Sequence, residues 1–159
     1  MATVTIITVG NLKEAYLREA AQEYKKRLSQ YARVEEIELK EERINDENNR
    51  AEIERALESE ADKILSAIPR DSMKIALCVE GKQYSSEELA GIIESANDRS
   101  GKISFIIGSS YGLSEKVKRE CDLRLSFSKL TFPHQLMKVI LFESVYRSFT
   151  IIHGKRYHK

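Results

Sequence analysis

Residues Ile103–Gly108 read ISFIIG, an almost unbroken apolar run closed by a glycine. A strand with one wet face alternates apolar and polar residues, whereas a run of this kind suits a strand covered on both faces. Working outward, TVTIITV (Thr3–Val9) is short, β-branched and ended by Gly10, which marks a second buried strand. MKIALCV (Met73–Val79) is a third, after which Gly81 is expected to turn the chain. RVEEIEL (Arg33–Leu39) alternates in part, with Glu36 and Glu38 expected to point outward, and LRLSF (Leu123–Phe127) makes five strands.

The segments between them carry helical signals. Leu17, Ala20, Ala21, Tyr24, Leu28 and Tyr31 recur at helical spacing within Leu12–Tyr31. A second helix, about Asn49–Ile68, is stopped by Pro69. Ser85 stands three residues before Glu88, the pattern of a capping box, and Ser114 is placed to cap a short helix reaching about Cys121. Pro133 is expected at the first position of the last helix, where its missing N–H is harmless. Strands alternating with helices predict an α/β fold with a mainly parallel sheet and helices on both faces. The 159 residues show no repeat, linker or low-complexity segment, so a single domain, 1–159, is expected. A chain of this size buries roughly 70% of its unfolded surface, enough for a core without disulfides or metals.

The last helix departs from the usual amphipathic pattern. Eight of the eleven residues from Leu136 to Tyr146 are apolar or aromatic, so a single apolar stripe does not describe it. Such a helix needs a second cover, either inside the monomer or on another copy of the chain, and a homodimer is the expectation. A standard interface buries on the order of 800 Å² per partner.

The net charge of +1 is uninformative, but its distribution is not. Glu35–Asp62 holds twelve acidic and four basic residues; Ser126–Lys159 holds six basic residues, one acidic residue and all three histidines. A polyanion is therefore expected to prefer the C-terminal end. Cys78 and Cys121 lack metal spacing and read as reduced thiols. The N-terminal apolar run is too short to span a membrane and lacks a basic leader. A cytoplasmic protein is expected.

Open α/β sheets bind ligands beyond the carboxyl ends of their strands. VGNLKE after the first strand lacks the glycine pattern of a dinucleotide site, and no phosphate-binding loop motif occurs. The ends of the third, fourth and fifth strands read CVEGKQYSS, IIGSSYGLSE and SFSKLTFPHQ. They offer hydroxyls, small residues and main-chain groups, but no carboxylate pair or metal cluster, which argues against hydrolysis by paired acids or zinc. A neutral or zwitterionic cofactor held by backbone groups suits them. Leu77 and Val79 would form an apolar wall, and Gly81 and Gly108 would admit the cofactor to the backbone. Phe127, Leu130 and Phe132 would pack on an aromatic base whose edge the 127–132 amides read. The plainer reading of each end is a tight strand-to-helix turn.

SFSKLTFPHQLMKV, with IIGSSYGL before it and RYHK after it, resembles the RlmH family, SPOUT-class methyltransferases that act on N3 of a pseudouridine in 23S rRNA. The resemblance runs from the first strand to Lys159. It implies a C-terminal trefoil knot, a homodimer, S-adenosylmethionine as cofactor, and the assembled ribosome as substrate. It places cofactor contacts on Leu77, Gly108, Phe127, Ser128, Lys129, Leu130, Thr131 and Phe132. It places RNA contact and catalysis on Arg147, Tyr157 and His158, with His134 beside the pocket. The composition of the tail adds His153, Arg156 and Lys159 as RNA-binding candidates. Arg147 would stabilise the anion formed when N3–H is lost, and His158 or a water would take the proton. The family usually has Ile-Gly-Gly where this chain has Ile107-Gly108-Ser109. If the second glycine serves a positive φ, Ser109 would strain the loop by about 1 kcal/mol. Two alternatives are an RNA-binding ribosome-associated factor without catalysis, and a nucleotide hydrolase, for which both P-loop and metal carboxylates are missing.

Overall fold

The computed structural model describes residues 1–159. Five strands, β1 (Ala2–Val9), β2 (Ala32–Leu39), β3 (Met73–Gln83), β4 (Lys102–Ile107) and β5 (Leu123–Ser126), form one sheet. Its order is β2-β1-β4-β3-β5, and every pairing is parallel. Five helices connect or follow them: α1 (Ala15–Leu28), α2 (Arg50–Ala67), α3 (Ser86–Arg99), α4 (Glu115–Glu120) and α5 (His134–Ile152).

The apolar run in β4 serves two cores. Ile103, Phe105 and Ile107 join the larger one with residues of α1, α3 and α5, while Ile106 joins the smaller one with residues of α2 and α4. The sheet is thus the middle of three layers. Ser104 is fully buried and shares a 2.5 Å hydrogen bond with Ser72, which satisfies both hydroxyls.

Helix starts follow local chemistry. The Ser85 hydroxyl accepts from the Glu88 amide at 3.0 Å, and the Glu88 carboxylate accepts from the Ser85 amide at 2.7 Å. Ser114 accepts from the Val117 amide, and Asn49 from that of Glu52. Pro133 sits one position earlier than expected. With φ −53° and ψ 137° it is the extended residue before α5, and its carbonyl accepts the Met137 amide. Helix α1 is shorter than its apolar spacing suggests, ending at Leu28.

Helix α5 is covered in part inside the chain. Leu141, Phe142 and Val145 are fully buried in the larger core, and Tyr146 packs near Tyr24 of α1 and Tyr31 beyond it. Met137, Val139 and Ile140 stay half-buried. Glu36 and Glu38 do not simply face solvent. Lys138 of α5, only 3% exposed, lies 3.4 Å from Glu36 and 3.2 Å from Glu38, and Lys25 lies 3.1 Å from Glu36. This ties α5 and α1 to edge strand β2.

Gly81 does not turn the chain. Strand β3 bows out after Leu77, rejoins β5 at Lys82 and runs to Gln83. A Cβ at Gly81 would stand 2.8 Å from the Arg124 carbonyl, so the close approach that needs glycine there is made by β5. No helix is long and apolar enough to cross a membrane.

Candidate functional site

The carboxyl ends of β3, β4 and β5 enclose a cavity of about 710 Å³. Leu77, Cys78 and Val79 supply one wall, the 108–113 loop a second, and residues 125–134 with Met137 the third. Seven of the eight residues expected to contact a cofactor line it: Leu77, Gly108, Phe127, Ser128, Leu130, Thr131 and Phe132. Lys129 is the exception. It is exposed and forms no part of the lining.

The 127–132 segment holds its shape through a local turn. Ser126 Oγ donates to the Ser128 carbonyl at 3.0 Å, and the Leu130 amide donates to Ser128 Oγ at 3.0 Å. The amides of Thr131 and Phe132, which line the cavity, donate to no acceptor within the chain, so they remain available to a ligand. Leu130 is 71% exposed, unusual for so apolar a side chain at a cavity mouth.

The 108–113 loop closes on itself. The Gly112 amide donates to the Ser109 carbonyl at 2.9 Å, with Gly112 at φ +86°. A Cβ on Gly108 would stand 2.3 Å from the Gly112 carbonyl oxygen. The space that Gly108 leaves is filled by the protein's own backbone, not held open for a cofactor. Ser109 is outside the positive-φ region, so the expected strain is absent.

Sequence reasoning missed one charged pair. Glu80 and Lys118 both line the cavity and form a salt bridge. Its hydrogen bond to Lys118 holds Glu80 below the usual carboxylate range. Glu80 was visible at a strand end, but nothing local announced Lys118, which arrives on α4. Burial pushes the neighbouring Cys78 thiol up. No group of three or more His, Cys, Asp or Glu side chains is arranged to hold a metal.

The tail candidates gather elsewhere. Arg147 Nη2 lies 2.6 Å from Glu143, Arg147 Nη1 lies 3.2 Å from His158 Nδ1, and Tyr157 donates to Glu143 at 3.1 Å. The Arg147 guanidinium stands 4.7 Å from the centre of the Tyr157 ring, which meets Tyr146 edge-on at 4.8 Å. His158 Nε2 reaches Glu87 on α3 at 2.7 Å. Burial and the Glu143 carboxylate raise the Tyr157 phenol. His153 packs on Tyr31 at 4.7 Å, while Arg156 and Lys159 are exposed and in no ion pair. The tail is therefore docked, not frayed.

His134 lines the cavity, with its Nε2 close to Gly10 at the end of β1. Arg147 is ten residues along α5 from Met137, the last residue of the lining. At about 1.5 Å per residue, the two backbone positions are roughly 15 Å apart along the helix.

A family model described as "Predicted SPOUT methyltransferase" matches residues 2–158. A ribosomal RNA large subunit methyltransferase H from Caldicellulosiruptor bescii is 53% identical over 156 residues, 98% of this chain and 99% of that protein. One of the same name from Shouchella clausii is 47% identical over 157 residues, covering 98% and 99%. Among solved structures, a probable methyltransferase from Bordetella pertussis superposes with TM-score 0.62 at 13% identity, over 92% of this chain and 93% of that one. That likeness speaks to the fold alone.

Proposed function

Because the chain belongs to the SPOUT methyltransferase family, and within it groups with the ribosomal RNA large subunit methyltransferases H, we propose that it methylates N3 of a pseudouridine in 23S rRNA. The substrate on this reading is the assembled ribosome in the cytoplasm, and the methyl donor is S-adenosylmethionine. The single observation that carries the donor assignment is the cavity at three strand ends, apolar over much of its lining, with free main-chain amides on one wall. Phe127, Leu130 and Phe132 suit an adenine face, the 127–132 amides its edge, and the Glu80–Lys118 pair a zwitterionic amino-acid end. When bound, the donor supplies an electrophilic methyl group on a sulfonium.

The protein's own work is to orient, to exclude water and to manage one proton. N3–H of a pseudouridine is a weak imide acid. On this reading Arg147 would stabilise the anion, and His158, hydrogen-bonded to Arg147, or a water would take the proton. Holding two reactants at attack distance contributes up to roughly 7–11 kcal/mol.

The separation along α5 bears on assembly. One chain's Arg147 cluster does not sit at its own cavity, so the complete site calls for a second copy whose tail meets the first copy's cavity. The half-buried Val139 and Ile140 and the 71% exposed Leu130 suit a homodimer of that kind. The family's trefoil knot would fall in the 127–133 segment and α5.

Calorimetric titration with S-adenosylmethionine tests the donor site, with micromolar binding expected and absence of binding refuting it. Deleting Tyr157–Lys159 should abolish methylation of ribosomes while donor binding persists. Full-rate methylation by the truncated chain would remove the tail from the mechanism.

A further inference from the structure

The C-terminal tail returns to the body of the protein through a histidine held on both sides. His158 Nδ1 lies 3.2 Å from Arg147 Nη1 on α5, and its Nε2 lies 2.7 Å from Glu87 Oε1 in the first turn of α3. Three segments far apart in the sequence thus meet at one imidazole. The rest of the Arg147 guanidinium is already engaged. Its Nε and Nη2 stand 2.8 Å and 2.6 Å from Glu143 Oε1, and the other oxygen of Glu143 accepts the Tyr157 hydroxyl at 3.1 Å.

The two partners decide where the ring carries its hydrogen. A guanidinium has only donors, so the nitrogen facing it must offer a lone pair. A neutral ring then carries its hydrogen on Nε2, and the Glu87 carboxylate, which only accepts, receives it. An acid on one nitrogen that fixes the tautomer and stabilises the imidazolium is how a carboxylate serves a histidine base. We infer that Glu87 is a positioning residue for the methyl transfer: it holds His158 with Nε2–H turned to its own carboxylate and the Nδ1 lone pair turned to Arg147, where the proton is received. This rests on the reading of Arg147 and His158 given above.

The proton and charge balance follow from that placement. When the imide draws the Arg147 Nη1 donor to itself, Nδ1 is released as an acceptor beside the same anion. The N3–H bond breaks and its proton goes to Nδ1. The electron pair left on N3 forms the bond to the methyl carbon as that carbon's bond to sulfur breaks. The imidazolium donates from Nε2 to Glu87, which stays ionised throughout. Hydrogen bonds from its own amide and from His158 hold Glu87 below the usual carboxylate range. The Glu87 side chain is 63% exposed, and the cap of α3 is made by Ser85 and Glu88, so replacing Glu87 leaves the helix intact.

The test joins nitrogen-15 NMR of the histidine-labelled full chain to methylation of ribosomes, in wild type, Glu87→Ala, Glu87→Gln and His158→Gln. The last variant assigns the His158 signal. Neutral wild-type His158 should show a protonated Nε2 and a bare Nδ1. Glu87→Ala frees the ring to turn and should mix the two tautomers. It should also lower kcat roughly tenfold or more, with KM for ribosomes and affinity for S-adenosylmethionine changed far less. Glu87→Gln, whose amide oxygen still accepts from Nε2, should keep the tautomer and restore part of the rate. A wild-type His158 that carries its hydrogen on Nδ1 overturns the proposal. Full-rate methylation by Glu87→Ala beside a slow His158→Gln overturns it too, and leaves the reading of the tail standing. Full-rate methylation by His158→Gln refutes that reading, and this inference with it.

Discussion

Gly108→Ala separates two uses of one glycine. The added methyl would meet the Gly112 carbonyl oxygen at 2.3 Å, the Gly112 carbonyl carbon at 2.6 Å and Leu113 Cδ2 at 2.9 Å. The first two are backbone atoms, so no flexible side-chain end can swing aside. Ordinary contact begins near 3.4 Å, so the 109–112 turn must move by about 1 Å. That movement breaks the 2.9 Å bond from the Gly112 amide to the Ser109 carbonyl. Overpacking costs about 1–3 kcal/mol, and the lost hydrogen bond about 1 kcal/mol more, for a total of roughly 2–4 kcal/mol. In a chain of this size each kcal/mol moves Tm by about 2–4 °C, so a fall of about 4–16 °C is expected. Circular-dichroism melting without ligand measures it, and titration with S-adenosylmethionine beside it reports the cavity. A variant that melts within about 2 °C of wild type yet no longer binds the donor would refute the reasoning. The space at Gly108 would then belong to the ligand, as the sequence first suggested.

Two further outcomes follow from buried chemistry. Lys138→Met leaves Glu36 and Glu38 without their shared cation; because the Glu38 side chain is 48% exposed, the expected loss in urea unfolding is about 1–3 kcal/mol. Adding Glu36→Gln should recover part of it, and a fully stable single variant would show that the pair is idle. Burial pushes the Cys121 thiol up to about 11 from its ordinary 9.0. Folding therefore favours the neutral thiol, and the stability it contributes below pH 9 should be lost as pH rises toward about 11. Urea unfolding of wild type against Cys121→Ala across that range checks the sign, and a slope no steeper in wild type refutes it.

The strand pattern and the cavity were legible because both rest on short-range signals. Apolar runs, caps such as Ser85–Glu88, and small or hydroxyl residues at three strand ends can each be read within ten residues. What stayed hidden depends on approach from far along the chain. Gly81 matters because Arg124 passes beside it, and Gly108 because the chain doubles back at Gly112. Glu36, Glu38 and Glu60 look like members of one solvated acidic stretch. Only the placement of Lys138, a hundred residues on from Glu38, and the burial of Glu60 to 3% exposure distinguish them. The tail's composition suggested a sticky terminus, but not its docking onto Glu143 and Glu87.

The position of α5 also governs how a new chain can mature. Leu141, Phe142 and Val145 occupy the centre of the face shared with α1 and α3, yet they are made some 34 residues after Ile107 ends the central strand. At roughly 5–20 residues per second, the nascent protein waits about 2–7 seconds with that face of its sheet uncovered. Throughout the interval the apolar sides of α1, α3 and β4 stand open to water and to neighbouring chains. Holdase chaperones therefore have a defined window of action on this protein. Slow codons placed between β4 and α5 would lengthen that window, raising the yield of aggregate without altering one residue of the finished molecule.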